Sequence, residues 1–71
     1  MTRSLLQAAI AAEQAGALDT AVAQYSAVLA ADPTCVEALN NLGAIASRVG
    51  QPEDAVNFYA EALRHRPDFV P

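Results

Sequence analysis

Shifting the chain against itself by 34 positions brings Leu5 onto Leu39, Ala12 onto Ala46, Gly16 onto Gly50, Tyr25 onto Tyr59 and Pro33 onto Pro67. In the same register Ala21, Val22 and Leu29 fall on Ala55, Val56 and Leu63, and Val36 falls on Val70. The coincidences lie on apolar positions and on the Gly and Pro residues that punctuate structure, while the polar residues between them differ. A shared backbone with a variable surface leaves that pattern, and a period of this length is the signature of stacked units.

Spacing inside each unit predicts two helices. Leu39, Leu42, Gly43 and Ala46 mark one helical face, and Ala55, Tyr59, Ala62 and Leu63 mark a second. Leu5, Ala8, Ala9 and Ala12, then Ala21, Tyr25, Val28 and Leu29, repeat both stripes in the first unit. Gly16-Ala17-Leu18 and Gly50-Gln51-Pro52 suit a helix end followed at once by a new start, with Pro52 near a first helical position. Thr34-Cys35-Val36-Glu37 reads as a capping box opening the second unit. Glu53 and Asp54 in a first turn, and Arg64, His65 and Arg66 in a last turn, complement the helix dipole. The expected fold is all-α: two tandem antiparallel helical hairpins of an α-solenoid, four helices plus the start of a fifth.

These residues resemble the tetratricopeptide repeat. The second unit reads Leu39-x2-Leu42-Gly43-x2-Ala46, then Ala55-x3-Tyr59, then Pro67. The first unit carries Leu5-x2-Ala8-Ala9-x2-Ala12, then Ala21-x3-Tyr25, then Pro33. Leu replaces the family's opening Trp and Ala its following Tyr in both units, which leaves less aromatic packing inside each hairpin. The resemblance implies one repeat over residues 2–35, a second over 36–69, and the start of a truncated third at 70–71. It also implies a non-catalytic protein-interaction scaffold whose concave face is lined by each unit's first helix.

On that face the resemblance places Arg3, Leu6, Gln7, Ile10 and Gln14 from the first unit, and Glu37, Asn40, Asn41, Ala44 and Arg48 from the second. The run Asn40-Asn41-Leu42-Gly43 is similar to the repeat units of O-linked N-acetylglucosamine transferase, where an asparagine at this position holds peptide backbone. A carboxamide offers a donor and an acceptor to one peptide group. The expected peptide-binding residues are therefore Asn41, Asn40, Gln7, Arg48, Arg3 and Glu37. The carboxylate clamp of some co-chaperone members needs several Lys and Arg residues; this chain has no Lys, so that version is not expected.

Other classes of function find little footing. The net charge is −4 and the four basic residues, all Arg, form no stripe that could neutralise phosphates, so nucleic acid is not an expected partner. No apolar run approaches the ~20 residues of a membrane-spanning helix. Cys35 is the only cysteine and has no marked base partner; it is expected to pack rather than react, in a cytoplasmic protein. His65, between two arginines, has no second ligand for a metal, and neither a catalytic site nor a cofactor is expected.

The last residues raise a further expectation. Asp68-Phe69-Val70-Pro71 repeats the logic of Thr34-Cys35-Val36-Glu37, so the start of a truncated third unit is expected there. Stacked repeats cover one another's apolar faces. An uncapped end is therefore expected around Tyr59, Leu63 and Phe69. Two readings follow: a substrate-recruiting N-terminal region of a larger enzyme such as a glycosyltransferase, or a structural module that forms a homo-oligomer through this end.

Overall fold

The computed structural model describes residues 2–68 and contains four α-helices: α1 (Thr2–Gln14), α2 (Leu18–Ala31), α3 (Val36–Arg48) and α4 (Pro52–His65). The bounds of α3 and α4 are those of α1 and α2 displaced by 34 positions. The expected all-α pair of hairpins is what forms. The start of a fifth helix, at Val70 and Pro71, lies outside the described residues.

Both hairpin turns use the same device. The Gly16 amide donates to the Glu13 carbonyl at 3.0 Å and the Ala17 amide to the Ala12 carbonyl at 2.9 Å. The Gly50 amide likewise donates to Ser47 at 3.3 Å and the Gln51 amide to Ala46 at 2.8 Å. These are paired Schellman bonds, which need a left-handed residue, and Gly16 and Gly50 supply it at φ 81 and 79. Pro52 then opens α4 where its missing amide costs nothing, and Glu53 and Asp54 follow in the first turn.

The connection between the units departs from expectation, because no capping box forms. Cys35, not Thr34, is the N-cap of α3, and no side chain caps it. Asp32 captures Thr34 instead: its Oδ1 accepts the Thr34 amide at 3.1 Å and the Thr34 hydroxyl at 2.8 Å. A short acid two residues upstream outcompetes the helix start for the same hydroxyl. The Cys35 amide closes the turn onto the Asp32 carbonyl at 3.1 Å.

The main core joins the two hairpins. Leu6 and Ala9 of α1, Ala21, Tyr25 and Val28 of α2, and Ala38, Leu42 and Ile45 of α3 form one buried cluster. Val36, Leu39 and Ala62 form a second, with Leu29 and Phe58 packed against both. The α3 stripe expected from the sequence, Leu39, Leu42, Gly43 and Ala46, is buried throughout. The α1 stripe is rotated: Leu6 is 5% exposed, whereas Leu5 is half-buried and Ala8 exposed. Leu6, expected on the concave face, is a core residue. No helix among the described residues is long and apolar enough to cross a membrane.

Candidate functional site

Asn40, Asn41, Ala44 and Arg48 follow Glu37 by three, four, seven and eleven positions along α3, which places the five on one face of the helix. Glu37 and Arg48 are exposed; Asn40, Asn41 and Ala44 are half-buried. On α1, Arg3 and Gln7 are exposed, and Ile10 is half-buried.

Asn41 is tied into the body of the protein. Its Nδ2 donates to the Tyr25 hydroxyl at 2.9 Å, and that hydroxyl donates to Glu13 Oε1 at 2.7 Å. The other oxygen of Glu13, Oε2, accepts from Arg48 Nη1 at 3.3 Å. Glu13 of α1, Tyr25 of α2, and Asn41 and Arg48 of α3 thus form one polar chain linking three helices. The Tyr25 ring is fully buried and its hydroxyl acidity is suppressed beyond the ordinary tyrosine range. Burial is the largest cause; the bond to Glu13 adds to it, and the Asn41 donor opposes it.

The chain changes what two of the sequence-predicted residues can offer. Asn41 has one donor hydrogen committed to Tyr25, leaving its second amide hydrogen and Oδ1 without a partner among the described residues. Arg48 balances Glu13, with its side chain 54% exposed, so its charge is partly spent within the fold. Asn40 differs again: its Oδ1 is buried with no hydrogen-bond partner, as is Gln24 Oε1 on α2. Sequence reasoning treated Tyr25 as packing alone and overlooked Glu13. A tyrosine sixteen residues before an asparagine, on different helices, carries no local spacing signal.

Equivalent positions of the two units differ in how far they are covered. Tyr25 is fully buried beneath α3, while Tyr59 is only half-buried. Leu29 packs against both apolar clusters, while Leu63 is 41% exposed. Phe69 lies outside the described residues. The basic end of α4 is partly self-neutralised: Glu61 accepts from Arg64 at 2.7 Å and stands 3.3 Å from His65 Nε2.

A comparison with curated proteins gives no match. The tetratricopeptide repeat family model matches residues 36–69, the segment that carries α3 and α4, and supports reading that segment as such a repeat, a module typical of non-catalytic protein interaction.

Proposed function

We propose that this chain is a protein-interaction scaffold that holds an extended peptide or partner segment along the exposed faces of α1 and α3. The observation that carries this reading is the anchored carboxamide of Asn41. Its bond to the buried Tyr25 hydroxyl holds the side chain in one orientation, with an acceptor and a donor still free. Pre-oriented polar groups bind with less loss of conformational entropy than mobile ones. Gln7 and Arg3 on α1, with Asn40, Glu37 and Arg48 on α3, would add further polar contacts to the bound segment.

The test is a peptide-array screen followed by titration of the best binder. Asn41→Ala is expected to weaken binding about 3- to 10-fold, the worth of one hydrogen bond. Tyr25→Phe should weaken it by a smaller factor, because the carboxamide remains but loses its tether. Binding indifferent to Asn41→Ala would count against the groove on this face.

A second reading rests on the contrast between Leu29 and Leu63. The surface that α3 covers in the first unit has its counterpart on α4, and there Leu63 is exposed. Self-association through that end would cover it. Light scattering across a concentration series distinguishes a growing mass from a constant one, and a constant mass would remove this reading.

A further inference from the structure

A second concave feature lies away from the proposed peptide face. Because α3 packs against both α2 and α4, a groove of about 500 Å³ runs between those two helices with α3 as its floor. Its volume is in the range of roughly 300–1,000 Å³ typical of ligand pockets. Leu42 and Ile45 form the floor and are themselves core residues. On the rim stand Val22, 38% exposed, and Val49, 51% exposed, two of the exposed large apolar residues of the described chain. Asp19 on α2 and Asp54 on α4 line opposite walls, and neither has an ion-pair partner among the described residues.

We infer that this groove takes a short partner segment in which aliphatic side chains are flanked by arginine or lysine. The aliphatic groups would cover Val22 and Val49, and the cations would meet the carboxylates of Asp19 and Asp54. Charge selects the occupant. A second copy of the chain is poorly equipped for the role: of its four arginines, Arg48, Arg64 and Arg66 each stand within 4 Å of a carboxylate of their own chain, at 3.3, 2.7 and 3.9 Å, which leaves Arg3 alone to meet two carboxylates. The cations that suit the groove therefore come from a different protein. On α3 the floor residues Leu42 and Ile45 occupy the side of the helix turned away from Asn40 and Ala44, and Asn41 is not among the residues that line the groove.

The experiment uses fluorescence anisotropy with the whole chain and a labelled Arg-Leu-Ala-Leu-Arg peptide, against a control in which both arginines are glutamates. Saturable binding of the basic peptide alone is expected, weakening with added salt. Val22→Glu should raise its Kd by about tenfold or more. Asp19→Asn with Asp54→Asn should raise Kd several-fold and flatten the salt dependence. Val56→Glu, the same change at an exposed valine outside the groove, should leave Kd unaltered. Circular dichroism confirms that each variant is folded. No saturable binding, equal binding of the acidic peptide, or indifference to both groove variants would overturn the inference. So would loss of binding in Asn41→Ala alone, which would place the peptide on the other face. A concentration-dependent mass that Val22→Glu abolishes would show a second copy in the groove and likewise overturn it.

Discussion

The Asn41 amide donates to the Tyr25 hydroxyl across the boundary between the two hairpins, at 2.9 Å. Glu13 accepts the hydroxyl's own proton at 2.7 Å, so Tyr25→Phe removes both bonds while preserving the ring's packing. The cost expected in urea denaturation is about 1–2 kcal/mol, since two polar groups lose a partner near the core. Combining Tyr25→Phe with Asn41→Ala in a double-mutant cycle should return a coupling of about 0.5–1.5 kcal/mol. Additive effects would mean that the pair contributes nothing jointly.

The same hydroxyl predicts how stability responds to alkali. Its folded pKa is raised above the ordinary value of 10.0, so unfolded chains lose this proton first. The contribution is complete below pH 10.0 and is lost as pH rises from there toward the folded value. The chain contains no lysine, so the lysine titration that usually overlaps this range is absent. Urea midpoints should fall above pH 10.0 in the parent and fall less steeply in Tyr25→Phe. Parallel curves would assign the alkaline loss to another group.

Glycine does two different jobs here, and alanine substitution separates them. At Gly16 and Gly50 a Cβ has open space around it, but φ of 81 and 79 strains any other residue, at about 1 kcal/mol. At Gly43 the backbone is helical, and a Cβ would lie 2.8 Å from Cε1 of Tyr59. Gly43→Ala gains about 1 kcal/mol of helix propensity and loses about 1–3 kcal/mol as the ring is displaced. A net destabilisation is expected in thermal melts, and Tyr59→Leu in the same chain should turn it into a gain. Equal losses with and without the tyrosine would show that ring contact is not the cause.

The architecture was legible because its punctuation is chemical: only a glycine suits the turn at positions 16 and 50, and the apolar stripes of α3 and α4 repeat those of α1 and α2. The rotation of α1 was not legible. Leu5 and Leu6 are adjacent and an alanine-rich run follows, so two overlapping stripes satisfy the helical period, and packing against α2 chooses the one through Leu6. The Thr34 capping box failed because Asp32 is an equally local competitor. At the candidate face the polar residues were visible, but the commitment of Asn41 to Tyr25, and of Arg48 to Glu13, depends on how three helices meet. Periodicity within one helix does not encode that.

Leu29 and Leu63 hold the same position in the two units and test what the second hairpin does for the first. Leu29 packs between the two buried clusters because α3 covers it; Leu63 is 41% exposed because nothing among the described residues does so. Truncating Leu29 to Ala should cost about 2 kcal/mol, toward the lower end of large-to-small changes at apolar contacts. Leu63→Ala should cost under about 0.5 kcal/mol in dilute solution, as for other surface substitutions. The gap between the two measures the coverage that α3 provides. If Leu63→Ala proves as costly as Leu29→Ala at low concentration, and its cost grows with concentration, the end of α4 is covered by another copy. Equal costs independent of concentration would mean that Leu63 is buried within the single chain, contrary to its exposure here.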